Sequence, residues 1–101
     1  MTSETTDNDD SASSACYAVI DGVLLVGKSS EVRRGGWRTV VDETETQHMD
    51  QRNTWYETPK EACRQRIAWL FSWKGRKKIP DMLVRAKEIC KAVEIMDGLS
   101  R

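Results

Sequence analysis

One histidine, one phenylalanine, two prolines and three cysteines are all that this chain holds of those residue types. Each scarcity narrows the chemistry. A structural zinc site takes four Cys or His ligands, and here His48 stands alone in a polar stretch while Cys16, Cys63 and Cys90 are scattered. No CxxC occurs, so the cysteines are expected to be reduced, mostly buried thiols in a cytosolic protein. No GxxxxGK[ST], GxGxxG or GxSxG occurs either. Arg33-Arg34-Gly35-Gly36-Trp37-Arg38 contains a glycine pair without the strand–loop–helix setting of a phosphate cradle. Apolar runs fall far short of the roughly 18 residues of a membrane span, and no secretory apolar segment is present. The carboxylates of Asp42, Glu43 and Glu45 read as a solvated loop. The expectation is therefore a cytoplasmic chain that is not an enzyme, with no catalytic, cofactor or metal residues.

What is present is charge, unevenly distributed. The sequence balances 16 Lys and Arg against 16 Asp and Glu. Residues 1–15 carry a net −4, residues 16–50 a net −2 and residues 51–101 a net +6. The first segment has almost no apolar content, so it cannot bury enough surface to offset chain entropy. It is expected to be a disordered acidic tail, with 16–101 forming a single α+β domain. At 101 residues in total, such a domain has a thin stability margin.

Cys16–Gly27 holds two apolar runs around Asp21-Gly22, the dipeptide that suits a type I′ turn. This predicts a hairpin of 16–20 with 23–27. Residues 28–36 read as a loop and Trp37–Asp42 as a strand, with Trp37, Thr39 and Val41 on one face and Arg38, Val40 and Asp42 on the other. Residues 43–51 read as loop and Arg52–Glu57 as the last strand. Thr58-Pro59-Lys60-Glu61 is a capping box with proline at the first helical position. The helix it opens should run to about Lys74 and stop at Gly75 in a left-handed cap. Cys63, Ile67, Leu70 and Phe71 form one apolar stripe, and Ala62, Trp69 and Trp73 an adjoining sector. A second helix starts near Pro80-Asp81 and ends before Gly98, with Met82, Leu83, Ala86, Ile89, Cys90, Val93 and Met96 on its apolar face. The fold class is thus α+β: an antiparallel β-meander of three to four strands followed by an α-helical hairpin.

Two groups of residues suit binding. Trp69, Trp73, Lys74, Arg76, Lys77 and Lys78 put aromatics beside a basic run. The simpler reading has the second helix covering both tryptophans, with the cations complementing a helix C-terminus. The other leaves a tryptophan exposed as an anchor for a protein partner. Arg33, Arg34, Trp37, Arg38, Arg52 and Trp55 interleave cations and aromatics as nucleic-acid surfaces do. Their simpler reading turns Trp37 and Trp55 into the core and leaves the arginines to keep a sheet edge soluble. The acidic tail has the sign to lie over the basic run as a weak screen.

Gly35-Gly36-Trp37-Arg38-Thr39-Val40-Val41 and Trp55-Tyr56-Glu57-Thr58-Pro59-Lys60-Glu61-Ala62 resemble the DNA-binding domain of plant ethylene-response factors over roughly residues 33–65. That resemblance implies a sheet meeting the major groove through Arg34, Trp37 and Arg38. The family's Leu-Gly-x-Phe strand is absent here, and a second helix is not part of its pattern. The layout of residues 16–101, a short meander, a capped Tyr-x-Thr-x-x-Glu-Ala helix and a final amphipathic helix, is similar to small accessory proteins of phages and prophages. That resemblance implies a stoichiometric binding protein of the anti-defence or host-takeover kind, anti-CRISPRs included. A protein partner is the favoured expectation, nucleic acid the alternative, and a membrane is not expected.

Overall fold

The computed structural model describes residues 13–35, 37–51 and 53–100. Four strands, β1 (Ser13–Ile20), β2 (Val23–Arg34), β3 (Trp37–Asp42) and β4 (Gln47–Asp50), form one antiparallel sheet in sequence order. Three helical segments follow: α1 (Pro59–Phe71), α2 (Trp73–Lys78) and α3 (Met82–Leu99). The architecture is α+β, a meander followed by a helical hairpin with a short extra helix at its corner. The acidic tail expected over 1–15 lies outside the described residues up to residue 12. Ser13 to Ala15 are part of β1.

The β1–β2 hairpin turns where the sequence predicts. Asp21 (φ 54) and Gly22 (φ 76) both occupy the left-handed region that a type I′ turn demands. Two segments read as loops are strands instead. β2 runs on to Arg34, with a register shift between Ser29 and Arg33. Polar composition hid it, because Ser29 and Ser30 pair with Ser14 and Ser13 through backbone groups indifferent to side-chain polarity. β4 forms because Asp42 organises a tight turn: its Oδ1 accepts from the N–H of Thr44 (2.9 Å) and of Thr46 (3.0 Å), and Glu45 takes φ 63.

Alternation gives the sheet two apolar faces. Cys16, Ala18 and Val40 pack against Trp55 on one. Val19 joins Ala62, Cys63 and Ala92 of α1 and α3 on the other. The described part of the expected last strand, residues 53–57, is therefore a plug rather than a strand. Among these described residues Tyr56 alone makes a β-bridge to the sheet, exchanging backbone bonds of 2.7 Å with Tyr17. Thr54 N–H is drawn to Asp50 Oδ1 (3.3 Å) and Tyr56 Oη to the Asn53 carbonyl (3.0 Å), which curls the chain. Arg52 lies outside the described residues.

The Thr58 cap forms, Glu61 N–H donating to Thr58 Oγ1 at 3.1 Å. The Glu61 carboxylate turns outward to Gln65 (2.7 Å) and Arg64 (3.5 Å) instead of closing the box. α1 ends at Phe71, not near Lys74. Ser72 breaks it with an extended ψ of 165° and caps both neighbours: its N–H and Oγ donate to the Trp69 carbonyl (3.0 and 2.6 Å), and its Oγ accepts from Gly75 N–H (3.2 Å). Gly75 is not the expected left-handed stop. It is buried inside α2, where a Cβ would lie 2.0 Å from the Trp69 carbonyl oxygen.

α3 is capped by Asp81, whose Oδ1 accepts from Leu83 and Val84 N–H (2.9 and 3.3 Å), and it continues through Gly98. Its inward face is a correction to the predicted apolar stripe. Glu88 and Ala92 are the buried residues, while Met82 and Leu83 are each 69% exposed and Val93 and Cys90 are also at the surface. The cause is local chemistry. Arg66 of α1 takes the Glu88 carboxylate with Nε and Nη2 (2.5 and 3.2 Å), and small residues Ala62, Cys63 and Ala92 fill the helix–helix seam. Together they set the rotation of α3.

Candidate binding surface

The corner from the end of α1 to the start of α3 collects what the core does not take. Leu70 is fully buried, and the next residue, Phe71, is 64% exposed. Ser72 then interrupts the helix, so Trp73 starts a new axis and also stands 64% exposed. Four cations follow within five positions, Lys74, Arg76, Lys77 and Lys78, all at the surface. No acidic residue intervenes before Asp81. Met82 and Leu83 at the start of α3 are exposed too, at 69% each. Large apolar side chains this exposed within thirteen positions of sequence are candidates for a contact surface.

Electrostatics tie the aromatics to the charges. Lys77 Nζ lies 4.9 Å from the centroid of the Trp73 ring, and Arg66 Cζ lies 4.4 Å from that of Trp69. Arg66 is also held by Glu88, so its positive charge is neutralised; the cations of α2 have no ion pair among the described residues. The second helix does not cover Trp73, and Trp69 is half-buried. Trp69 and Lys74 line a cleft of about 520 Å³ beside β1. The exposure of Phe71, Met82 and Leu83 was not foreseen. A signal was there: the apolar residues of each helix span a wider arc than one neighbour covers.

The second group of candidates is dispersed. Arg38 is 1% exposed and fully engaged: Nε donates to Asp50 Oδ2 (3.2 Å), Nη1 to Glu57 Oε1 (3.4 Å) and Nη2 to the Trp55 carbonyl. A guanidinium so placed has no face for a phosphate. Trp55 is buried, with His48 tilted against it at 5.3 Å between ring centroids. Trp37 is exposed on the outer face of β3. Backbone register sets Arg33 opposite Arg38 and Arg34 opposite Trp37. Of the three residues that the resemblance to ethylene-response factors implied, Arg38 is therefore withdrawn from any groove contact.

His48 Nε2 meets Asp42 Oδ2 at 2.8 Å, beside the β3–β4 turn that Asp42 organises. Among the described residues no group of three or more His, Cys, Asp or Glu could hold a metal ion, and no helix is long and apolar enough to cross a membrane. Burial pushes the thiols of Cys16 and Cys63 up from their ordinary pKa, which keeps them protonated and poorly nucleophilic. Cys90 is exposed, contrary to the expectation of mostly buried thiols only in its own case. No protein-family model, curated protein or solved structure matches this chain.

Proposed function

We propose that this chain is a non-enzymatic binding protein that acts stoichiometrically on a protein partner through the corner of residues 71–83. The observation that carries this reading is the exposure of Phe71, Trp73, Met82 and Leu83, which flank the cations of α2 in the sequence. Aromatic and long apolar side chains supply the buried centre of protein interfaces, and charges supply the rim. The complementary surface is an apolar recess edged with carboxylates. The layout's similarity to phage and prophage accessory proteins fits this reading and suggests an anti-defence or host-takeover role. Nucleic acid is the alternative, favoured by the same four cations, but the sheet-face version of it has lost Arg38 and Trp55 to the core.

The test is affinity capture from the native host with the tagged chain, with and without nuclease, beside a Phe71→Ser/Trp73→Ser/Leu83→Ser variant. A protein retained after nuclease treatment, in fixed ratio to the bait, and lost with a variant of unchanged circular dichroism, supports the reading. Loss of all captured material with nuclease refutes it. The alternative would then show binding constants that fall with salt, log K changing by about −0.9 per duplex phosphate neutralised.

A further inference from the structure

α3 is apolar on two sides, and the chain covers one of them. With about 100° of turn per residue, Met82, Leu83, Ala86, Cys90 and Val93 fall within an arc of about 100°. That arc is centred about 150° round the helix from Glu88 and Ala92, which pack against α1 and β1. Met82 and Leu83 are each 69% exposed and Val93 46%, with Ala86 and Cys90 also at the surface. Each border of the arc carries a pair of residues seven positions apart. Lys87 and Glu94 lie along one border, both exposed and neither ion-paired among the described residues. Ile89 and Met96, both half-buried, lie along the other. Lys87 and Glu94 also stand equally far from the midpoint of α3, which falls between Cys90 and Lys91.

We propose that this face pairs with the same face of a second copy, the two α3 helices running antiparallel about a twofold axis beside Cys90. Charge complementarity selects both the occupant and the direction. An antiparallel twofold sets like border against like border with the order reversed, so Lys87 of each copy meets Glu94 of the other. A parallel twofold would set the charged border of each copy against Ile89 and Met96 of the other, leaving both charges unmatched. A twofold contact must be self-complementary, and opposite charges at equal distances from the axis meet that condition. Ala86 and Cys90 near the axis are small enough for the helices to approach closely. Met82 and Leu83 come at the two ends of the pair. The chain's first twelve residues are poor occupants, since Met1 is the one large apolar side chain among them. With 18 residues, α3 is about 27 Å long. A contact between two such helices sits at the small end of stable interfaces, so the dimer should dissociate on dilution. This goes beyond the partner-binding reading, because Phe71, Trp73 and the cations of α2 lie outside the paired face.

Sedimentation equilibrium of the full chain under reducing conditions, from micromolar to millimolar, tests the pairing. We expect a monomer–dimer equilibrium for the native chain. Ala86→Glu, at the exposed centre of the face, should give a monomer throughout with unchanged circular dichroism. Lys87→Glu and Glu94→Lys should each weaken the dimer by about tenfold, since each turns two attractive contacts into two repulsive ones. The Lys87→Glu/Glu94→Lys double variant should restore it. Diamide takes up the two electrons and two protons that a pair of thiols releases, and it should join two chains through Cys90. Cys90→Ser should abolish that product, because Cys16 and Cys63 are fully buried. A native chain that stays monomeric at millimolar concentration overturns the proposal, whatever other protein the face then binds. So do a dimer that survives Ala86→Glu, single charge reversals without effect, or a double variant that fails to restore what they lose. A disulfide dimer that forms equally fast in denaturant overturns it too. A dimer lost with Phe71→Ser/Trp73→Ser but kept with Ala86→Glu would move self-association to the corner and rule out the α3 pair.

Discussion

Arg38 and Asp50 face each other across β3 and β4 with their side chains 1% and 2% exposed, Nε donating to Oδ2 at 3.2 Å. The pair does more than neutralise itself. Arg38 also holds the Trp55 carbonyl and Glu57, and Asp50 holds Thr54, so one ion pair staples the 54–57 segment under the sheet. Removing Arg38 takes the buried guanidinium partner from Asp50 and the side-chain donor from the Trp55 carbonyl. Arg38→Ala is expected to cost about 3–5 kcal/mol, read as a lowered urea midpoint. Arg38→Lys should not restore it, since an ammonium lacks the planar fork that reaches three acceptors. An unchanged midpoint for either variant would remove the staple from the account.

Gly75 and Gly98 make a matched pair of opposite sign. A Cβ at Gly75 would press on the Trp69 carbonyl, whereas at Gly98 nothing lies within 4 Å. Gly98→Ala, in helical conformation, should raise stability by about 0.5–1 kcal/mol. Gly75→Ala should lower it by about 1–3 kcal/mol, because backbone must move to admit the methyl group. Both are read from the same denaturant series. Stabilisation by Gly75→Ala would show that the α1–α2 junction is looser than the Ser72 hydrogen bonds indicate.

Thr58→Ala should cost about 1 kcal/mol by stripping the acceptor from Glu61 N–H. Glu61→Ala should cost less, since its carboxylate meets Gln65 and Arg64 at the surface rather than the Thr58 amide. Equal losses would mean that the full capping box forms in solution.

That contrast marks how far local sequence reaches. The Asp21-Gly22 turn, the Trp37–Asp42 strand and the Thr58 cap were legible because each depends on residues within a few positions. β4 was not, because its register depends on Asp42 gathering two N–H groups several residues away, in a stretch whose composition is that of a loop. The rotation of α3 was not legible either. Apolar spacing alone favours Met82 and Leu83 inward, and it takes the Arg66–Glu88 pair, 22 residues apart, to turn Glu88 in and them out. Trp73 and the basic run stood out in the sequence as an ambiguous group. The break at Ser72, which separates Trp73 from the α1 stripe, is what resolves its exposure.

Acid should loosen the β3–β4 turn. His48 foremost, then the Thr44 hydroxyl and the backbone N–H groups of Thr46 and Thr44, hold the Asp42 carboxyl far below its ordinary value of 3.8. A carboxylate with a depressed pKa in the folded chain contributes stability that is fully present above its unfolded value and fades as pH falls through the folded one. The stability gap between the native chain and Asp42→Asn should therefore be largest above about pH 4 and narrow progressively below it. Denaturant unfolding across that range measures it. A gap that widens on acidification would reverse the sign and exclude Asp42 as the group responsible.

Two tryptophans of opposite burial separate stability from binding. Trp55 is 3% exposed and fills the space over Cys16, Ala18 and Val40, so Trp55→Ala should cost about 3–5 kcal/mol through the cavity it leaves. Trp73→Ala opens no cavity, and its loss is bounded by the Lys77 contact at 4.9 Å, about 0.5–1 kcal/mol at an exposed site. In the native chain acrylamide should quench Trp73 readily and Trp55 hardly at all, as single-tryptophan variants would show. If the corner is the anchor of an interface, Trp73→Ala should weaken the captured partner by about 2 kcal/mol or more while melting barely moves. A variant that melts normally and binds normally would take Trp73 out of the interface and leave the cations of α2 to account for any binding there.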